Sequence, residues 1–252
     1  MRVLDLFAGI GGFSLGLERT GVFKTAAFCE IDKKAQLVLN KNWPDVPVFD
    51  DVTTLTKELL DEKGISIDVI TGGFPCQDIS FAGRGAGLEG ERSGLWFQFY
   101  RLIKEIQPRY AIIENVSALR SRGLDVVLSG LNEIGYDAEW HCIPASALGA
   151  PHQRDRLWVV AYPVRSRSQV GLPAQGHGKE GNPEIADYLG HRLAGWQGRG
   201  FWATEPSVGR VADGVSNRPH RLKQLGNAVV PEIPQLLGEA ILDFEHGEMN
   251  HA

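Results

Sequence analysis

The 252 residues, 43 % apolar and 23 % charged, can build one large domain or one domain with a smaller insert, and no apolar run approaches the roughly 20 residues a membrane span needs. Cys29, Cys76 and Cys142 are far apart and form no C-x-x-C pair, which argues against a disulfide framework and a zinc site and for a reducing, cytoplasmic setting without a signal peptide. The net charge of −5 disfavours a polyanion partner, yet residues 161–231 hold nine Lys/Arg against five Asp/Glu, a basic segment compatible with phosphate contact.

Val3-Leu4-Asp5-Leu6-Phe7 reads as a short strand that opens onto Ala8-Gly9-Ile10-Gly11-Gly12, and Phe13, Leu15 and Leu17 then predict a helix ending at Gly21. Strand, glycine loop and helix open a nucleotide-binding α/β fold. Ser14 stands where a dinucleotide fingerprint has its third glycine. The loop therefore implies close backbone approach without a pyrophosphate cradle, and a nicotinamide oxidoreductase is disfavoured. A second strand, residues 25–29, ends in Glu30-Ile31-Asp32. A carboxylate there can accept both ribose hydroxyls of a nucleoside or can cap the next helix, residues 33–40; we read Glu30 as the ligand and Asp32 as the cap. Asp50 and Asp51 follow the apolar stretch 46–49 and suit either an adenine amino group or turn chemistry with Thr53 and Thr54.

Residues 67–71 form a strand that runs into Gly72-Gly73-Phe74-Pro75-Cys76-Gln77. The carboxyl end of a parallel strand is where such folds bind ligands, so Cys76 reads as a nucleophile or as a small buried hydrophobe. Residues 77–94 are glycine-studded, carry Arg84 and Arg92, and suit a mobile lid. Residues 95–106 are helical in period, with Leu95, Phe99, Leu102, Ile103 and Ile106 on one side. Strand 110–113 then ends in Glu114-Asn115-Val116, from a strand expected beside that of Cys76, so a thiol and a carboxyl converge as nucleophile plus acid. A helix at 124–134 and a strand at 136–143 follow, then a turn, then a strand at 153–161 whose start places Arg154 and Arg156 on one face. Those cations suit an anion or carbonyl oxygen, or a sheet edge paired with Asp155. Composition shifts at Pro163, and residues 163–200 read as an irregular insert with a helix at 183–193. Residues 224–231 begin a final helix running through Phe244.

Taken together, Asp5-Leu6-Phe7-Ala8-Gly9-Ile10-Gly11-Gly12, Gly73-Phe74-Pro75-Cys76-Gln77, Glu114-Asn115-Val116, Arg154-Asp155-Arg156 and Gln224-Leu225-Gly226-Asn227-Ala228-Val229-Val230-Pro231 resemble, in order, the motifs of the DNA (cytosine-5) methyltransferases. The resemblance spans nearly the whole chain. It implies an α/β, Rossmann-like methyltransferase sheet with helices on both faces, in which residues 1–162 and 222–252 form the catalytic domain and residues 163–221 a small target-recognition region. It implies S-adenosylmethionine as cofactor, double-stranded DNA as substrate, and a monomer without metal or membrane attachment, with a cognate restriction endonuclease as a separately acting partner.

By the same resemblance, Cys76 attacks C6 of a flipped-out cytosine and Glu114 acts on N3, while Arg156 meets the base O2 and Arg154 braces Glu114 or a phosphate. Phe7, Gly9, Gly11, Gly12, Glu30, Ile31, Asp51, Val52, Pro75, Leu95, Asn227 and Val229 fall at cofactor-binding positions. Of these, Glu30 takes the ribose, Asp51 and Val52 the adenine edge, and Phe7 and Ile31 the ring faces. Gln77, Ser80, Arg84, Arg92 and Arg210 fall to DNA. The closing motif must return to the first glycine loop, so the two ends of the chain pack together. Relatives carry Gln at the place of His152 and often Trp at the place of Ile31, and their variable segment is longer. An RNA cytosine-5 methyltransferase shares this motif set, and a catalytically silent nucleic-acid-binding protein is the rival of another class. A zinc deaminase is excluded because no second Cys follows Pro75-Cys76 at C-x-x-C spacing.

Overall fold

Val3, Leu4, Asp5 and Leu6 are fully buried in the first strand, β1 (Arg2–Leu6), and burial on both faces explains why that run is nearly continuous in apolar character. The computed structural model describes residues 1–75, 94–150, 152–164, 224–225 and 227–246. The chain continues through α1 (Gly12–Glu18), β2 (Lys24–Cys29), α2 (Lys33–Asn42), β3 (Val48–Phe49), α3 (Lys57–Glu62) and β4 (Val69–Gly72). Then come α4 (Leu95–Ile106), β5 (Tyr110–Val116), α5 (Leu124–Glu133), β6 (Tyr136–Pro144), β7 (Asp155–Pro163) and α6 (Glu232–Glu245).

These strands form one seven-stranded sheet in the order β3-β2-β1-β4-β5-β7-β6. The pairs from β3 to β5 are parallel, and β7 runs antiparallel to both β5 and β6. The order reverses between β1 and β4, whose carboxyl ends lie side by side with Leu6 opposite Gly72. A crevice outside such a reversal is where open parallel sheets hold ligands. Here it receives the glycine loop from one strand and the Gly73-Phe74-Pro75 turn from the other.

Period-two alternation divides the core. Leu4, Leu6, Ile70, Ala111 and Ile113 pack with Leu60 of α3, with α4, and with Leu124, Val127 and Leu131 of α5. Val3, Val69 and Ile112 face the other way, onto Phe13 and Leu17 of α1 and Ile233, Leu236 and Ile241 of α6. The Rossmann-like α/β architecture expected from the sequence is present, with helices on both faces.

Several local expectations need adjusting. Asp32 caps α2 as read, accepting from the backbone N–H of Lys34 and Ala35. The apolar stripe of α4 centres on Trp96, Phe99, Leu102 and Ile103, all buried, while Leu95 and Ile106 at its ends are half-buried. The sequence reading does not assign α3, a short helix capped by the Thr56 hydroxyl on Leu59 N–H. The last helix starts at Glu232 rather than in the 224–231 motif, because a residue before proline is pushed out of the helical region. Val229 and Val230 stay non-helical and free to pack elsewhere.

The two ends do pack together. A Cβ on Gly16 of α1 would lie 2.1 Å from the Pro231 carbonyl oxygen, and Arg19 pairs with Glu232 at 3.1 Å. Among the described residues no helix is long and apolar enough to cross a membrane, and no group of three or more His, Cys, Asp or Glu could hold a metal ion.

Candidate active site

Four strand ends, those of β1, β2, β4 and β5, supply the candidate site. The glycine loop leaves β1 through Phe7, whose φ of 53° is unusual for a bulky residue, and its ring lies 6.4 Å from Phe99 at 27°. Backbone of this kind costs of order 1–3 kcal/mol and persists where surrounding structure fixes it. Gly9, at φ +56°, has nothing within 4 Å of where a Cβ would sit. Gly12 is the opposite case: a Cβ there would fall 2.6 Å from the Val229 carbonyl oxygen, so the closing motif lies directly on the loop.

Glu30, at the end of β2, spans the gap to β1. Its Oε2 accepts from Gly9 N–H at 2.7 Å and its Oε1 from Asp32 N–H at 2.8 Å. Ile31 beside it is 73 % exposed, a large apolar side chain at the rim of the crevice. Asp51 accepts the Thr53 amide and hydroxyl, both at 2.8 Å and both on Oδ1. These bonds hold its carboxyl below the ordinary carboxylate value, so it is an ionised acceptor with Oδ2 to spare. Turn chemistry therefore falls to Asp51, while Asp50 pairs with Lys33 at 2.7 Å and takes Gln36 Nε2 at 2.8 Å. Val52 is buried, Leu95 begins α4, Pro75 and Asn227 are exposed and Val229 is half-buried. Gly11, at φ +86°, backs onto Trp43 and Leu39.

At the end of β5, the Glu114 carboxyl is 14 % exposed and its Oε1 accepts from Arg156 Nε at 2.8 Å. Burial pushes this carboxyl above its ordinary value even against the pull of Arg156 and Arg154. A carboxyl tuned this way holds a proton more readily than an exposed one and suits a general acid. The other oxygen, Oε2, lies 2.6 Å from where a Cβ on Gly73 would be, so the glycine lets the β4 turn pass against the acid.

Arg156 holds Glu114 through Nε, while Arg154 sits just before β7 at φ 33°, donates from Nη2 to the Ala228 carbonyl at 2.6 Å and adds its charge to the pull on the Glu114 carboxyl. Alternation along a strand cannot apply to Arg154, because it is outside the strand.

Cys76, Gln77, Ser80, Arg84, Arg92 and Arg210 lie outside the described residues, as do the proposed lid, the 183–193 helix and most of the insert. Of the other thiols, Cys29 is buried and pushed up to about 12 by burial and by Glu30, Asp51 and Asp50, which keeps it protonated and inert; Cys142 is exposed on β6.

Some functional neighbours escaped the sequence reading. Asn115, 4 % exposed, donates from Nδ2 to the Phe74 carbonyl at 2.8 Å and so pins the turn that leads to Cys76. Asp5, fully buried, accepts Ser14 Oγ at 2.8 Å and Thr71 Oγ1 at 3.0 Å, tying α1 to β4 beneath the crevice. A polar residue inside an otherwise apolar run was the available signal for Asp5.

Comparison with known proteins follows the same lines. The family model for C-5 cytosine-specific DNA methylase matches residues 1–203. Among curated relatives, the chain is 42 % identical over 161 residues to the Type II methyltransferase M.CviJI of Paramecium bursaria Chlorella virus IL3A, covering 64 % of this chain and 42 % of that one. It is 34 % identical over 216 residues to the Type II methyltransferase M2.BsuMI of Bacillus subtilis (strain 168), covering 81 % and 52 %. The chain thus spans about half the length of the curated relatives it matches. In fold it is similar to the crystal structure of a Spodoptera frugiperda DNMT2 mutant, with a TM-score of 0.56 at 19 % identity over 71 % of this chain and 54 % of that one. The motif order, the strand order and the site at the β1–β4 reversal agree with the family match, and the chain belongs to the C-5 cytosine-specific DNA methylase family.

Proposed function

We propose that this chain transfers a methyl group from S-adenosylmethionine to C5 of cytosine in double-stranded DNA. One observation carries the reading. The Glu114 carboxyl, raised by burial and gripped by Arg156, stands against Gly73, three residues before Cys76 in the chain and at the end of the strand that pairs with β1 and its glycine loop.

The residues present fit the cofactor. Gly9 leaves open space above the loop, Glu30 offers a carboxylate for free ribose hydroxyls, and Asp51 is an ionised acceptor for an adenine amino group. Phe7 and Ile31 supply apolar faces, with Gly11, Gly12, Val52, Pro75, Leu95, Asn227 and Val229 around them. When bound, S-adenosylmethionine supplies an electrophilic sulfonium methyl.

Cytosine C5 is too weak a nucleophile to take that methyl unaided. The Cys76 thiolate adds to C6, forming a C–S bond, and the ring electrons move toward N3, where Glu114 hydrogen-bonds or donates its proton. The ring is then an enamine, nucleophilic at C5. After C5 is alkylated, a base removes the C5 proton and the C–S bond breaks, returning the thiolate and releasing 5-methylcytosine. Arg156 keeps the Glu114 carboxyl aimed, and Arg154 binds the acid's surroundings to the closing motif. The base must first leave the helix, at a cost of a few kcal/mol. Residues 163–221, with Arg210, form the region that reads the target, and Gln77, Ser80, Arg84 and Arg92 close over the flipped base. The protein acts as a monomer, and a restriction endonuclease of the same specificity would act separately.

Trapping on DNA containing 5-fluorocytosine tests this reading, because fluorine at C5 blocks the final elimination. A covalent adduct that vanishes in Cys76→Ser supports it. Adduct formation with RNA and not with duplex DNA would replace the DNA assignment by the RNA one. The absence of any adduct in the presence of cofactor would leave a silent binding protein. Bisulfite sequencing of treated DNA then reads out the recognition sequence.

A further inference from the structure

Arg101 lies on α4, away from the glycine loop and Glu114, and its guanidinium makes four hydrogen bonds. Nη2 donates to the carbonyl of Val52 at 2.9 Å and to that of Leu55 at 2.8 Å. Nη1 reaches Glu105 Oε1 at 2.8 Å and Nε reaches Gln98 Oε1 at 2.9 Å. Glu105 in turn accepts the Lys57 amide on Oε2 at 3.3 Å, at the first turn of α3. One ion pair on one helix therefore grips the segment between β3 and α3 at three backbone points, residues 52, 55 and 57. The Val52 and Leu55 side chains are buried beneath it, 4 % and 0 % exposed. Among the described residues, the strand nearest this segment is the two-residue β3 at the sheet edge. Without Arg101, two backbone carbonyls would lose these donors, and the Val52-Thr53 peptide, whose N–H donates to Asp51 Oδ1 at 2.8 Å, would lose the anchor at its carbonyl end.

We infer that Arg101 is a positioning residue that sets discrimination for adenine over other purines, by fixing the Val52-Thr53 peptide whose N–H holds the Asp51 carboxylate toward the base edge. The inference rests on the cofactor assignment above. A carboxylate at 51 favours an amino group at purine C6 and repels a carbonyl there, but only while the loop holds it at hydrogen-bond distance. The planar fork is essential, since it serves two carbonyls and a carboxylate at once, which the point charge of lysine cannot reproduce.

The test compares binding of S-adenosyl-L-homocysteine and S-inosyl-L-homocysteine by calorimetry in the wild-type chain, Arg101→Lys and Arg101→Ala, with thermal melts of each. The wild type should prefer the adenosine compound, and Arg101→Lys should lose about tenfold of that ratio, the worth of one positioned hydrogen bond, while melting as a folded protein. Glu105→Gln, which keeps the side chain's length but weakens the ion pair, should move the ratio in the same direction and less. Arg101→Lys is the deciding variant if Arg101→Ala does not fold. An unchanged ratio in a folded Arg101→Lys, including equal weakening of both compounds, overturns the inference and leaves the cofactor assignment standing. Failure of the wild type to bind either compound overturns both.

Discussion

Arg156 Nε lies 2.8 Å from Glu114 Oε1, across the antiparallel pair of β5 and β7. The contact joins two candidate catalytic side chains from neighbouring strands. It also explains how a carboxyl that burial pushes upward stays oriented rather than swinging away.

This relationship predicts a separation of chemistry from binding. Glu114→Gln should slow single-turnover methyl transfer by about 10²–10⁴-fold, the usual worth of a positioned acid, and change duplex affinity far less. Equal losses in both would contradict an acid role. Because the wild-type carboxyl sits above its ordinary value, the wild-type rate should fall on the alkaline side as that proton is lost, and Glu114→Gln should lack this limb.

Two adjacent glycines should fail in different ways. A Cβ on Gly72 would lie 2.6 Å from the backbone oxygen of Leu6, which cannot move cheaply, so Gly72→Ala should destabilise by about 1–3 kcal/mol or prevent folding. A Cβ on Gly73 would crowd the end of the Glu114 side chain at 2.6 Å and meet the Glu114 backbone oxygen at an ordinary 3.6 Å. Gly73→Ala should therefore melt close to the wild type and lose activity by displacing the acid from Arg156. Denaturant melts beside turnover assays separate the two, and a strongly destabilised but active Gly73→Ala would contradict the packing described.

Asp5 should give stability a pH dependence of unusual sign for a carboxyl. Burial raises it from 3.8 to about 7, so the folded chain holds this proton more tightly than the unfolded chain does. Its contribution is fully present below the unfolded value and is lost as pH rises through the folded one. In melts between about pH 5 and about pH 8, Asp5→Asn should gain on the wild type as pH rises. A difference independent of pH would show that Asp5 titrates normally.

Gly16 should report on the seam between the two ends of the chain. An added Cβ would fall 2.1 Å from the carbonyl oxygen of Pro231, which caps the start of α6, and 3.0 Å from Pro234 in its first turn. Gly16→Ala should loosen α6, which limited proteolysis would detect as early cleavage within residues 224–246. Resistance equal to the wild type would mean that the seam yields without cost.

Much of the sheet was legible because its signals are local. Continuous apolar runs marked β1, β4 and β5, alternation and glycines marked their ends, and Asp32 at the start of α2 announced its own cap. The site's long-range pairings were not legible in that way. Arg154 meets a carbonyl 74 residues on, Asn115 a carbonyl 41 residues back, and Arg101 carbonyls 49 and 46 residues back. No periodicity encodes such partners. The closing helix began later than its motif suggested because Pro231 restrains Val230 before it, and Val229, outside the helix, lies on Gly12.

The amino-acid sequence by itself determined the succession of strands and of every helix but α3, the chemical types at each strand end and the motif set of the family, since each depends on neighbours within a few residues. Tertiary structure alone decided that Arg156 Nε meets the acid, why Gly73 must lack a side chain, and what anchors the loop after Asp51. The physical reason is common to all three. A buried hydrogen bond or a forbidden Cβ depends on which distant backbone arrives within about 3 Å, and packing of the whole sheet fixes that.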